Sequence, residues 1–400
     1  MGPRQSKSAA MTSNGTSPTE SSPVPMSPAL IERVLSTPVG RITFQLPSCY
    51  VEPSLLGSGA YGFVCHVTDR RSGNVLAVKK MKDPFQDAER SRRAYRELRL
   101  LRILEHDNIL ELVDVYTSAS APVQMQTFYL VTSYAGLTLK QCIEKQALND
   151  DHIRFVVYQI LRALKYIHSG GVIHRDLKPS NVALSNTCDL TVLDFGLARK
   201  WCSDFMTEYV VTRHYRAPEV IYWNGVYDVK ADVWSVGCIL GEMLTGKVLF
   251  RGKNQLDQFN LITRICGSPD LALLDKVERS TSRSTREMVE TMERHERVDF
   301  AQHFSDAPPD AVELLEKLLV LDPEHRLSVE EAIAQPYLSR FHVEDDEPTM
   351  EAGVELDDAG HRSALDWKRQ IWNEIVDFRR SRPSDVENGV SCQMAPLDIE

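Results

Sequence analysis

Residues 174–181 read His-Arg-Asp-Leu-Lys-Pro-Ser-Asn, and few stretches of eight residues restrict a chain as much. Asp176 and Lys178 are two apart, so an extended backbone puts both on one side. A carboxylate there can take a proton, and the ammonium beside it can neutralise an anion that develops nearby. Asn181 adds a carboxamide that can help to hold a cation. Three such groups in a polar loop can also arise by chance, so the test is whether suitable companions accompany them.

They do, and in a fixed order. Upstream, Gly57-Ser58-Gly59-Ala60-Tyr61-Gly62-Phe63-Val64 fits G-x-G-x-x-G-x-V. Dinucleotide-binding folds share the glycine pattern, but there a helix must follow. Here Phe63–Thr68 alternates as a strand does, Arg71–Asn74 turns, and Val75–Val78 returns, which predicts two antiparallel strands joined by a flap. Glycines in the flap let the backbone approach phosphates without a side-chain clash. Lys79 closes the second strand. Ala88–Leu104 is apolar at a helical period and carries Glu97. Phe128–Val131 reads as a buried strand running into Thr132. Downstream, Leu190–Leu193 is a strand delivering Asp194-Phe195-Gly196, and Ala217-Pro218-Glu219 follows.

In that order these motifs resemble a eukaryotic protein kinase, over about residues 44 to 378. The resemblance implies an α+β bilobal fold: a small β-rich N-lobe (44–132), then a hinge and a larger, mostly helical C-lobe (133–340). It implies ATP and Mg2+ as cofactors. Asp176 would orient and deprotonate the acceptor hydroxyl, and Lys178 would stabilise the transferring phosphoryl. Asn181 and Asp194 would hold magnesium. Leu56, Gly57, Ser58, Gly59, Ala60, Tyr61, Gly62, Val64, Ala77, Lys79, Glu97 and Thr132 would line the nucleotide site, with Thr132 as gatekeeper and Ser133–Gly136 as hinge. Lys80 reads as an exposed charge. Asp232 would brace the catalytic loop, and Arg326 would pair with Glu219. The family commonly has an Asp near the ribose, whereas this chain has Thr138.

The segment between D-F-G and A-P-E contains Thr207-Glu208-Tyr209 and then V-V-T-R-H-Y-R, similar to the dual-phosphorylation lip of mitogen-activated protein (MAP) kinases. A phosphate adds about −1.5 to −2 charges and three strong acceptors. By resemblance, Arg93, Arg96, Arg175 and Arg199 would receive phospho-Thr207 and rotate Glu97 toward Lys79. Arg213 and Arg216 would receive phospho-Tyr209. Gly252–Gln258 resembles the start of the MAP kinase insert, expected helical and charged over about 269–297. Asp345, Asp346 and Glu347 sit where the family has its acidic docking patch, although an acidic run is usually just a solvated face. Residues 365–378 resemble the C-terminal extension, so 341–380 is read as docking patch plus extension. R-A-Y-R-E-L-R-L-L and the short lip look like the stress-activated subgroup, whereas Glu208 is of the growth-factor-responsive type and His214 replaces a large aromatic.

The implied activity is proline-directed phosphorylation of Ser/Thr-Pro sites, switched on by an upstream dual-specificity MAP kinase kinase. Substrates and phosphatases with basic docking motifs are the implied partners, and a monomer is expected. A pseudokinase scaffold acting through the acidic patch is the non-enzymatic alternative, but such proteins usually lose the Lys or an Asp kept here as Lys79, Asp176 and Asp194. A cyclin-dependent-like kinase would lack the T-x-Y tyrosine and the late acidic patch.

A net charge of −10 argues against coating nucleic acid and suits basic partners. Eight scattered cysteines without a C-x-x-C pair suggest a reducing compartment. No apolar run approaches a membrane span. These features predict a soluble, cytoplasmic protein, with nuclear entry left open. Residues 1–40, rich in Ser, Thr and Pro, and residues 381–400 are expected to be disordered tails. The first tail carries Ser-Pro and Thr-Pro pairs that fit proline-directed phosphorylation or a plain linker. It also has a formal myristoylation pattern at Gly2, made a poor substrate by Pro3.

Overall fold

The computed structural model describes residues 29–37, 40–59, 61–201, 213–222, 228–280, 283–358 and 360–381. The N-lobe is a five-stranded antiparallel sheet of spatial order β3-β4-β5-β7-β6, made of β3 (Tyr50–Ser58), β4 (Gly62–Asp69), β5 (Val75–Met81), β6 (Leu112–Tyr116) and β7 (Tyr129–Ser133). Its strands alternate as half-buried strands should. Cys65 and Val67 of β4 and Leu76 and Val78 of β5 point into one apolar cluster. There Tyr116 and Tyr129 stack with ring centroids 4.9 Å apart.

A hairpin of β1 (Leu30–Thr37) and β2 (Gly40–Pro47) precedes the sheet. It corrects the reading of residues up to 40 as a disordered tail. Leu30 and Leu35 pack against the Phe44–Leu46 cluster, which gives this polar-looking stretch apolar surface to bury. Lys80 is corrected too: its ammonium donates to the Thr43 carbonyl at 2.7 Å, and burial lowers its pKa. Residues 1–28 and 382–400, Ala60, Cys202, Thr207 and Tyr209 lie outside the described residues.

Helix α1 (Ala88–Ile103) lies against the sheet, with Asp87 capping its first turn through the Arg90 N–H at 2.8 Å. After β8 (Leu137–Thr138) come α2 (Leu139–Glu144) and α3 (Asp150–Ser169), the latter opened by an Asn149–His152 capping box. Short strands β9 (Val172–Ile173), β10 (Val182–Leu184), β11 (Leu190–Val192) and β12 (Arg199–Lys200) frame the loops beneath the sheet. The rest is helical: α4 (Pro218–Tyr222), α5 (Lys230–Thr245), α6 (Gln255–Cys266), α7 (Leu271–Ser280), α8 (Arg283–Glu290), α9 (Phe300–His303), α10 (Pro309–Leu318) and α11 (Val329–Ile333). Helix α5 is apolar nearly all round, as a helix enclosed by others must be. Helices α7 and α8 fall in the expected insert.

The last helix, α12 (Ala364–Ser381), turns back onto the N-lobe. Trp367, Ile371 and Ile375 form its buried stripe, and Trp367 meets Tyr95 of α1 with centroids 5.2 Å apart. None of the described helices is long and apolar enough to cross a membrane.

Candidate active site

A cleft of about 430 Å³ runs between the sheet and the C-lobe. Its roof is the β3–β4 flap, with Leu56, Gly57, Ser58, Gly59, Tyr61, Gly62 and Val64. Its back wall holds Ala77, Lys79, Glu97 and Thr132, and its floor Asn181, Ala183, Leu193 and Asp194. Strand register explains the back wall. Ala77 stands opposite Thr132 and Lys79 opposite Leu130, and residues two apart share a face. Of the three flap glycines, Gly62 is the one where backbone leaves no room for a side chain, since a Cβ there would lie 2.6 Å from the Lys80 carbonyl oxygen.

The Lys79 ammonium meets Glu97 Oε1 at 2.5 Å. Burial works against the lysine's charge, but Glu97 and Asp194 outweigh it and raise its pKa. The sequence reading had the lip rotate Glu97 toward Lys79. Here the pair is already closed.

In the catalytic loop, Asp176 Oδ2 accepts from Lys178 Nζ at 2.5 Å and from Asn181 Nδ2 at 2.8 Å. Asn181 Nδ2 also donates to the Asp176 carbonyl at 2.9 Å. These bonds fix the amide, leaving Asn181 Oδ1 as an acceptor for a cation. Burial pushes the Asp176 carboxyl above its ordinary pKa, with Lys178 opposing. At Asp194 burial pulls the same way, but Lys79 and the Gly196 N–H prevail and hold the pKa below its ordinary value. The described residues contain no group of three or more His, Cys, Asp or Glu side chains fit to hold a metal alone. One carboxylate and one carboxamide suit magnesium, which keeps waters and substrate phosphates as its other ligands.

Beneath the loop, buried Asp232 accepts the backbone N–H of His174 and of Arg175, each at 2.8 Å, and faces His168 Nε2 at 2.9 Å. That bracket holds Arg175 at φ 69°, a left-handed conformation costly for a side-chain-bearing residue. Arg326 clasps Glu219 through two bonds of 2.6 and 3.0 Å, both side chains out of water.

Two expected assignments meet other partners here, Arg96 and Glu347. Arg96, read as a phosphate receiver, is buried and paired with Asp358, just ahead of α12. Burial, helped by Arg199 and Arg92, brings its pKa down to about 10 against the pull of Asp358. Glu347, read as a docking residue, is interior and bonded to Lys165 at 2.9 Å and His342 at 2.7 Å. Its neighbours Asp345 and Asp346 are exposed, as docking needs. Asp346 is linked through Arg162 to exposed Asp107 on another loop, which widens the acidic surface. Arg213 donates to the Lys253 carbonyl at 2.6 Å. Arg93 bonds Glu89 at 3.1 Å and the Tyr61 hydroxyl.

The sequence reading missed Gln141, which also lines the cleft. Thr138-Leu139-Lys140-Gln141 fits the capping-box spacing, the one signal that could have found it.

This fold and this site define a protein kinase, and a protein kinase domain model matches residues 50–338. Mitogen-activated protein kinase pmk-1 of Caenorhabditis elegans is 45% identical over 344 residues, covering 86% of this chain and 90% of the relative. Mitogen-activated protein kinase 12 of Rattus norvegicus is 43% identical, covering 86% and 93%. Mitogen-activated protein kinase 14 of Xenopus laevis is 42% identical, covering 85% and 93%. The chain belongs to the mitogen-activated protein kinases, and is a proline-directed serine/threonine kinase.

Proposed function

We propose that this enzyme transfers the γ-phosphoryl of Mg-ATP to Ser-Pro and Thr-Pro sites, and that its own switch is phosphorylation of Thr207 and Tyr209. The observation that carries the proposal is the Asp176–Lys178–Asn181 constellation facing a closed Lys79–Glu97 pair across one cleft. Asp176 orients the acceptor hydroxyl and takes its proton. Lys178 neutralises charge on the transferring group, and Lys79, held by Glu97, orients the phosphates. Asn181 and Asp194 would hold magnesium, which when bound would supply charge neutralisation for the phosphates.

Arg93, Arg175, Arg199, Arg213 and Arg216 are the candidates to receive the lip phosphates, joined by Arg96 once it is released from Asp358. Asp345 and Asp346 recruit basic docking peptides of an upstream dual-specificity kinase, of substrates and of phosphatases. A stress-type cascade, a monomeric state and a cytoplasmic place of work with access to the nucleus complete the proposal. The scaffold alternative draws no support, because the residues it would have to lose are assembled.

The test is phosphate transfer from ATP to paired Ser-Pro and Ser-Ala peptides, with unmodified and doubly phosphorylated protein. Strong activation with a Ser-Pro preference is expected. ATP binding without transfer in either form would leave the scaffold.

A further inference from the structure

We propose that Arg93 positions the flap by clasping its tyrosine, Tyr61, onto α1, and that a phosphate received by Arg93 loosens the clasp. This rests on the kinase reading of the cleft and adds a regulation to it.

The flap is tied down in two ways. The first is backbone: the Tyr61 carbonyl accepts the Lys82 N–H at 3.0 Å, and the Gly59 N–H closes the turn onto the Gly62 carbonyl at 2.9 Å. These bonds hold the flap to its own sheet. The second is a side chain. The Tyr61 hydroxyl accepts from Arg93 Nη1, and the guanidinium lies 5.5 Å from the centre of the phenol ring. A cation that both donates to the hydroxyl and faces the ring is held by two separate attractions. This tie reaches from the flap to a different element.

Helical spacing makes that tie consequential. Glu89, Arg93 and Glu97 recur every four residues and so share one face of α1. Glu89 accepts from Arg93 Nε at 3.1 Å and fixes the guanidinium, while Glu97 holds Lys79. One face of one helix thus sets both the cleft lysine and the flap above it. Tyr61 lines the large cleft on one side. On the other it closes a cavity of about 20 Å³ with Arg93, Glu97, Asp194 and Gly196.

Arg93 is also a candidate receiver of the Thr207 phosphate. A dianion attracts a guanidinium far more strongly than a neutral phenol does. Phosphorylation of the lip should therefore draw Arg93 from Tyr61, and the flap of the active form should lift more readily. The flap roofs the cleft, so the effect belongs to the rate at which nucleotide leaves.

The experiment measures the dissociation rate of a fluorescent ADP by stopped flow, for wild type and Tyr61→Phe, in unmodified and in doubly phosphorylated protein. Phenylalanine keeps the ring and removes the hydroxyl. In unmodified protein the substitution should raise the rate about three- to tenfold, the worth of one modest hydrogen bond. In doubly phosphorylated protein the variant and wild type should release ADP at nearly equal rates. Other effects of phosphorylation cancel in that ratio. Arg93→Gln in unmodified protein should raise the rate at least as much, and adding Tyr61→Phe to it should bring no further rise. Equal rates for Tyr61→Phe and wild type in the unmodified form, or the same raised ratio in both forms, would overturn the proposal. So would a Tyr61→Phe effect that survives Arg93→Gln, since the hydroxyl would then act on the nucleotide directly. Failure of the kinase reading shows elsewhere, as no phosphate transfer by wild type.

Discussion

The floor of the cleft and the seam between α1 and α12 both bury charged side chains, yet they were legible to different degrees. On the floor, Asp176, Lys178 and Asn181 lie within six residues, and their bonds close inside the loop. At the seam, Arg96 meets Asp358, 262 residues away, and Arg102 and Arg99 meet Glu374. Local spacing dictates the first kind of contact, whereas the path of the whole chain dictates the second. The floor is built to do one reaction; the seam holds side chains that a phosphate would have to win over.

The sharpest way to separate the two regions is Asp176→Asn. The amide keeps the shape and the bonds of the loop but cannot take a proton. Turnover should fall about 10²–10⁴-fold while ATP binding holds, as a nucleotide titration beside a rate assay would show. Unchanged turnover would remove Asp176 from its role.

Glu219→Ala comes next. It leaves the Arg326 guanidinium buried without its carboxylate, and removing one member of a buried pair costs about 3–5 kcal/mol. Chemical denaturation should show that loss, with no comparable effect from an exposed pair such as Arg340–Asp151. Equal, small effects would mean that burial does not set the worth of these pairs.

How much could be read beforehand follows the same division. Lys79, Glu97, Asp194 and Asp232 stand where their motifs put them, because each motif carries its own strand or helix. The first hairpin was missed because Leu30 and Leu35 are sparse among polar residues, and only the Phe44–Leu46 cluster makes them core. Glu347 looked like its exposed neighbours because an acidic run does not reveal which member turns inward to Lys165 and His342. Arg96 looked free because its partner is distant in sequence.

The seam is tested by Asp358→Asn, with Asp357→Asn as its companion. Asp358 is mostly buried against Arg96, whereas Asp357 is exposed and bonds Arg362. Losing the first carboxylate should cost about 1–3 kcal/mol in the unmodified protein, and losing the second under about 1 kcal/mol. Phosphorylation of the lip should then restore stability to the Asp358→Asn variant more than to wild type, because the freed Arg96 gains a new anion. Equal stabilisation of both would show that Arg96 is not shared between the carboxylate and the lip.

The smallest effect per step comes from acid, and it contrasts the carboxylate of the catalytic loop with the one that braces the loop from beneath. Asp176 has its pKa raised, since burial outweighs Lys178. Asp232 has its pKa lowered, since His168 and the backbone N–H groups outweigh burial. A depressed carboxylate contributes stability above its unfolded pKa and loses it only as pH falls through the lower folded value. The bracket under the loop should thus persist to lower pH than the ionised base above it. Asp194, also depressed, stays charged as well and does not set the limb. Turnover should decline by about tenfold per pH unit, or about 1.4 kcal/mol, once pH passes below the raised value of Asp176. Circular dichroism over the same range should stay native, and activity should return on neutralisation. Unfolding that coincides with the loss of turnover would mean that Asp232, not Asp176, gives way first.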